Sequence, residues 1–365
     1  MQALVAVTRR PQKVVTPMAC FSFRANCRLS VLLGVGIGLS VCVGLAETRA
    51  AQAAAQPTRV VIAYSSPGPR VAPLWIAQDR DFFGKYGLAA QVVLVRSNQM
   101  LTAGLTAGDI DVGYTGGPTV LGAAAAGVEL KMLTGFVSRG RGFMMVRPEI
   151  KKPTDLAGKR VGVQSIGGTL WMYTIVAFEQ LGLDATRDRI QLVIVGDQTV
   201  ASRALESQVI DATVLTSRTY IPGLNQKGFA VLTEVTPAMA ATGIVARRVS
   251  IQKTPELFEN VMKALIEAEY YVLAPSNKSQ VIKTIAKKLR LADSAPAEEG
   301  YNEVIKEFEL RPYPSVEGMK NMQRLLQTQN PRLGDLNPAT LIDLTLIRKL
   351  EDSGFFAQLQ SRYRE

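Results

Sequence analysis

The 365-residue chain carries 42 Lys and Arg against 31 Asp and Glu, a net charge of +11, and contains no histidine. Its three cysteines, Cys20, Cys27 and Cys42, all fall before residue 56. These counts exclude Cys/His zinc sites, Ser-His-Asp triads and Cys-His dyads from the rest of the chain, and with them most common hydrolytic chemistry.

An uncharged run rich in Leu, Val and Gly covers 29–46. Arg24 and Arg28 precede it, and A-x-A sites follow at Ala51-Gln52-Ala53 and Ala53-Ala54-Ala55. The pattern predicts a secretory signal peptide over 1–55, with Met18 as an alternative start, and a periplasmic product not embedded in the membrane. Val41 is not the small residue that lipid attachment at Cys42 would need. The leader takes six basic and one acidic residue with it. That leaves 36 against 30, an excess of +6 too dispersed for nucleic-acid binding. About 310 residues remain, enough for two well-cored domains.

A first strand at 60–64 runs into the turn formers "SSPGPR". "APLWIAQDRDFFGKYGL" reads as one helix stopping at Gly87, and 92–95 as a parallel strand covered on both faces. A helix ending at Gly108, the strand "DIDVGYT" and the small-residue helix "PTVLGAAAAG" follow. "LKMLTGF" and "GFMMVR" then read as strands around the turn "VSRGRG". A strand at 160–164, a Gly-rich bend and a long helix closing at Gly182 restart the pattern. From Thr254 the chain turns helical, with Thr254-Pro255 and Asn337-Pro338 as helix starts and "ADSAPAEEG" as an exposed loop.

The most informative feature is a repeat. "VVLVRSNQMLTAGLTAGDIDVGYT" begins at 92 and "LVIVGDQTVASRALESQVIDATVLT" at 192. Val92 and Leu192, Leu105 and Leu205, Ile110 and Ile210, and Asp111 and Asp211 are each 100 residues apart. That period is too long for a solenoid and fits two similar α/β lobes.

Ligands of open α/β sheets bind beyond the carboxyl ends of the strands. Four segments meet that condition, two from each half: Ser65-Ser66, Thr115-Gly116, Gly167-Gly168-Thr169 and Thr216-Ser217-Arg218. "SIGGTLW" is the sharpest anion candidate, because its glycines admit a ligand to a helix N-terminus. Asp111 and Asp211 read as backbone caps at turns rather than catalytic groups. Arg70, Arg139, Arg141 and Arg218 are the nearest cations, with Arg218 and Arg139 the better placed. Core packing is the default for Trp75 and Trp171, and Trp171 is positioned to wall the cleft.

Together "PLWIAQDRDFFGKYGL", "LTAGDIDVGYTGG", "IKKPTDLAGKRVGV", "GGTLWMYTIVAFEQLGL" and "LESQVIDATVL" make the chain resemble the periplasmic substrate-binding proteins of ABC importers in the nitrate, sulfonate and taurine group. The resemblance implies an α/β, two-lobed type II periplasmic binding protein fold, with mixed sheets flanked by helices and a ligand cleft between lobes. Lobe 1 is expected over 58–145 plus 243–365, and lobe 2 over 146–242. By position, Ser66, Thr115, Gly168 and Thr169 correspond to ligand-contacting loops of that group. Where alkanesulfonate-type relatives tend to have a Trp-Asp-Pro-Tyr-like stretch, this chain has Thr216-Ser217-Arg218-Thr219-Tyr220.

The expectation is a monomeric, non-catalytic receptor without cofactor or metal. It takes a small anionic or polar organic solute, of the sulfonate or nitrate class, to an ABC permease in the inner membrane. A sensor or accessory module docking on a signalling partner is the alternative. The same superfamily contains a thiamine-pyrimidine precursor synthase, whose histidine and cysteine-rich iron motif have no counterpart after the leader.

Overall fold

A computed structural model describes residues 56–364; the expected leader, its cysteines and its cleavage sites lie outside the described residues. The strands are β1 (Thr58–Tyr64), β2 (Leu88–Leu94), β3 (Val112–Thr115), β4 (Leu130–Met132), β5 (Val137–Arg139), β6 (Gly142–Val146), β7 (Arg160–Val163), β8 (Gln191–Ile194), β9 (Ala212–Leu215), β10 (Ala230–Val235) and β11 (Ala238–Arg247). They form two sheets of one plan, β2-β1-β3-β11-β4 and β8-β7-β9-β6-β10, with β5 added to the first through β11. In each sheet the two strands of the repeat flank the strand that precedes it, giving three parallel strands. Two antiparallel pairings complete it, so that only the fourth strand, β11 or β6, runs against the rest.

The fourth strand of each sheet comes from the other side of a lobe crossing. Gly142–Val146 was expected in lobe 1 with the segment up to 145, but it pairs with β9 from Phe143↔Leu215 to Val146↔Ala212. All five of its residues are buried, so this apolar run can only serve as an inner strand. The segment "VSRGRG", expected as a turn, instead contributes β5, which pairs with β11. Likewise β11 begins at Ala238, ahead of the expected return at 243. The two crossings run side by side, with the Gly140 N–H donating to the Pro237 carbonyl at 3.3 Å. A Cβ at 140 would lie 1.4 Å from Tyr173 Oη. That contact explains the glycine.

The repeated Ile-Asp dipeptides tie the inner parallel strands together. Asp111 Oδ2 accepts the Val61 N–H at 2.9 Å, and the Asp111 N–H donates to the Val61 carbonyl at 3.1 Å. Asp211 repeats this on Arg160, at 2.9 Å and 2.8 Å. Asp211 is bound further by the Arg160 and Arg147 guanidinium groups, at 2.8 Å and 3.0 Å. The Arg160 hydrogen bond pulls the Asp211 carboxyl down to about 2, against the opposing effect of burial. Both aspartates therefore serve the backbone, as read from the sequence.

Other details differ from expectation. The first helix ends at Asp79, because Asp81 adopts φ 53° and accepts the Gly84 N–H to start a separate turn at Phe82–Lys85. β2 is an edge strand rather than a strand covered on both faces, as is its counterpart β8; Leu94 is 52% and Ile194 64% exposed. Asn337-Pro338 opens a 3-10 turn, with Asn337 accepting the Ala339 N–H. "ADSAPAEEG" is no loop beyond Ser294: a helix spans Ala295–Glu307 and buries Ala297, Gly300, Tyr301, Glu303, Val304 and Glu307. The Pro255–Leu273 helix buries twelve side chains and packs on Ala72–Asp79. Its Glu267 is held by Lys85 and Arg362. No helix among the described residues is long and apolar enough to cross a membrane.

Two outcomes follow from these contacts. Gly140→Ala should lower the unfolding free energy by about 1–3 kcal/mol, and adding Tyr173→Phe should recover part of that loss in urea unfolding. Asp211→Asn should cost about 1–2 kcal/mol near neutral pH. The native carboxyl titrates below its unfolded value, so this contribution is complete above about pH 4 and disappears as pH falls towards about 2. Unfolding midpoints measured across that range check the sign.

Candidate ligand cleft

The carboxyl ends of β1, β3, β7 and β9 bring their following loops to a cavity of about 80 Å³ between the two sheets. Its wall includes six of the residues expected from sequence: Ser65, Ser66, Thr115, Gly116, Thr169 and Thr216. Such a volume holds only a few waters or a small solute. Gly116 is dictated by packing, since a Cβ there would lie 2.4 Å from the carbonyl oxygens of Ala240 and Ala241.

The first residues of three helices, Asn98, Thr169 and Gln198, line the cavity together with Gly116, the N-cap of a fourth. Their first turns hold N–H groups without intrahelical partners and the positive ends of the helix dipoles. Asn98 and Gln198 also do side-chain work. Ser65 Oγ donates to Asn98 Oδ1 at 2.5 Å. Gln198 Oε1 accepts from Thr216 N at 3.3 Å, while its Nε2 crosses the cleft to the Pro67 carbonyl at 3.3 Å. Both residues were missed from the sequence, although they lie 100 apart in the repeat. Each follows an N-cap: Ser97 accepts the Met100 N–H, and Asp197 those of Thr199 and Val200.

Charge enters from one side. Arg70 lines the cavity, but its guanidinium is held by Glu307 through two bonds of 2.6 Å and 2.8 Å. Burial works against the Arg70 charge, yet the Glu307 carboxylate outweighs it and raises the pKa above the ordinary arginine value. Glu303, one turn earlier on the same helix, also lines the cavity and is 4% exposed. Its Oε2 accepts the Arg218 backbone N–H at 2.9 Å, linking the Ala295–Glu307 helix to the loop after β9. Its Oε1 is buried with no partner. Burial pushes the Glu303 carboxyl up to about 7; Glu307 adds to the effect, while Arg70, the Arg218 N–H and the Ser217 hydroxyl oppose it. Tyr114 donates to the Arg70 carbonyl at 2.9 Å and fixes that turn from below.

Three expected site residues lie elsewhere. Gly167 and Gly168 line a neighbouring, more apolar cavity of about 620 Å³ with Ile166, Leu326 and Leu333, which meets the first at Asn98. The Arg218 guanidinium stacks on Phe143 at 4.4 Å and pairs with Glu234 at 3.1 Å, so only its backbone serves the cleft. Arg139 is exposed at the end of β5. Trp171 does not wall the cleft: at 2% exposure it belongs to the core that includes Met144, Val161 and Val214. Arg70, Glu303 and Glu307 went unrecognised as a cluster. Two glutamates four apart on a helix face shared with Tyr301, Val304 and Phe308 were the available sign.

Two equivalent α/β lobes with a polar cleft at their facing strand ends define a periplasmic binding protein fold. The chain belongs to the NMT1/THI5-like family, whose sequence profile matches residues 68–278. A relative from Brucella abortus (strain 2308), named as a binding protein, is 26% identical over 227 residues, covering 59% of this chain and 67% of its own. A solved protein of Bordetella bronchiseptica RB50 shares the fold with a TM-score of 0.70 at 19% identity, over 82% of this chain and 98% of that one. So does the alkanesulfonate-binding protein SsuA of Xanthomonas axonopodis pv. citri bound to MOPS, with a TM-score of 0.61 at 21% identity over 80% and 100%. The desulfurization enzyme DSZB also has this fold, with a TM-score of 0.58 at 16% identity over 81% and 99%.

The two kinds of polar contact should separate on mutation. Glu307→Gln leaves Arg70 buried without a counter-charge and should lower the unfolding free energy by about 3 kcal/mol. Gln198→Ala should cost no more than about 1 kcal/mol of stability while weakening solute retention, read by thermal unfolding with and without solute.

Proposed function

We propose that the chain is the solute-capturing component of an ABC importer, working in the periplasm and delivering its solute to a membrane permease. One observation carries the reading: main-chain and hydroxyl groups from both lobes converge on a single small cavity, while the lobes are joined by two adjacent crossings. A solute held there contacts both lobes at once, so its binding energy favours the closed form over the open one. The reading is non-catalytic. The lining groups that titrate are Arg70, Tyr114 and Glu303; Arg70 and Tyr114 are engaged by other protein groups, and Glu303 is occupied by the Arg218 N–H and approached by the Ser217 hydroxyl, which itself bonds to Thr219.

The cavity supports a small polar organic solute. An oxyanion such as the sulfonate group implied by the SsuA likeness would meet the helix N-termini at Gly116 and Thr169, where partial positive charge is available without a free guanidinium. The adjoining apolar cavity leaves room for a short hydrocarbon part.

Native mass spectrometry of freshly purified protein should show a retained small molecule. A solute supplied at 100 times its Kd should stabilise the fold by about 2.7 kcal/mol and raise Tm by about 4 °C. A chain that retains nothing and is stabilised by no sulfonate, carboxylate, nitrate or pyrimidine would not be such a receptor.

A further inference from the structure

The cluster at the inner end of the cavity sets one cation, Arg70, against two carboxylates, Glu303 and Glu307. Glu307 takes both available edges of its bidentate bond with Arg70. Glu303 keeps one oxygen for the Arg218 N–H, and its other oxygen has no hydrogen-bond partner among the described residues; the Ser217 hydroxyl lies close to the carboxyl but is turned to Thr219. A buried carboxylate oxygen left unpaired is costly, and this one belongs to a residue that lines the solute cavity at 4% exposure. Building on the receptor reading above, we infer that the cognate solute carries an N–H donor, a protonated amine or similar nitrogen, that bonds to the free oxygen of Glu303. Solutes that offer only acceptors, such as nitrate or a simple alkanesulfonate, leave that oxygen unpaired and place like charge beside it.

The helix N-termini and Glu303 then divide the solute between them. Acceptor atoms face the N-termini at Gly116 and Thr169, and the nitrogen faces the acidic end. The groups around Glu303 allow this. Arg70, Glu307 and Tyr173 act on it from within, and Arg141, Arg218, Glu299 and Lys306 share with it the shallow cavity on its outer side. Arg141 and Arg218 are both committed to Glu234. Glu303, raised to about 7 in the empty cleft, would ionise fully on meeting a cationic nitrogen, so binding releases protons at neutral pH.

The test compares matched pairs, 2-aminoethanesulfonate with ethanesulfonate and 3-aminopropanoate with propanoate, together with any solute released from the purified protein and identified by mass spectrometry. The expected result is that the retained or tightest solute bears an N–H group and binds at least tenfold better than its counterpart lacking it. Its affinity should rise about tenfold between pH 6 and pH 8. Glu303→Gln, which preserves an acceptor for the Arg218 N–H, should flatten the pH profile and remove the preference for nitrogen. The pH profile of the parent chain needs no variant and stands if Glu303→Gln does not fold. A tight solute without an N–H group, or binding that weakens as pH rises because a protonated Glu303 donates to an acceptor, overturns the inference and leaves the receptor reading intact. No retained solute and no binding by either member of any pair overturns both.

Discussion

The structure depends on a carboxylate that bonds to the backbone of the neighbouring strand. Asp111 and Asp211 each accept the N–H of the residue just before the first pairing with the neighbouring parallel strand, Val61 before Ile62↔Val112 and Arg160 before Val161↔Ala212, and return their own N–H to the same residue's carbonyl. Parallel pairs have slanted bonds and lack the closely spaced exchange of antiparallel pairs, so a side-chain bond at one end helps fix their register. With β1 locked to β3 and β7 to β9, the opposite ends of these strands finish level. Ser65, Thr115 and Thr216 owe their shared depth in the cleft to this alignment.

The cleft is polar without being strongly charged. Its positive character is spread over the starts of four helices, and its lone guanidinium is balanced by Glu307. Main-chain donors of this kind suit a receptor, since they are fixed before binding and need no reorganisation. The charge left over is Glu303, which lies where the Ala295–Glu307 helix meets the second lobe. Its carboxylate bonds to the backbone of Arg218 and also lines the cavity.

Much of this plan was legible in the sequence because periodicity is a global property that local exceptions do not erase. The 100-residue offset located both clamps, and the carboxyl ends of the strands located six cavity residues. What could not be read were features whose meaning depends on a distant partner. Gly300 resembled a loop residue, yet a Cβ there would meet Pro69 and Thr219 at 2.4 Å and 2.6 Å; the glycine lets a helix press against both lobes. The segment "ADSAPAEEG" was read as a loop for that reason, and Glu303 and Glu307 were missed with it. Arg218 was in the right loop, but Phe143 and Glu234 turn its side chain away. Gly142–Val146 had a strand's composition, and only pairing shows to which sheet it belongs.

The adjacent crossings at Gly140 and Pro237 have a mechanical consequence. Two neighbouring tethers joined by a hydrogen bond permit swivelling about their common line and resist shear or separation. In the proposed receptor, a molecule lodged between the halves would set that one angle for the whole exterior. A permease docked on the outside would then meet the filled form without touching the guest.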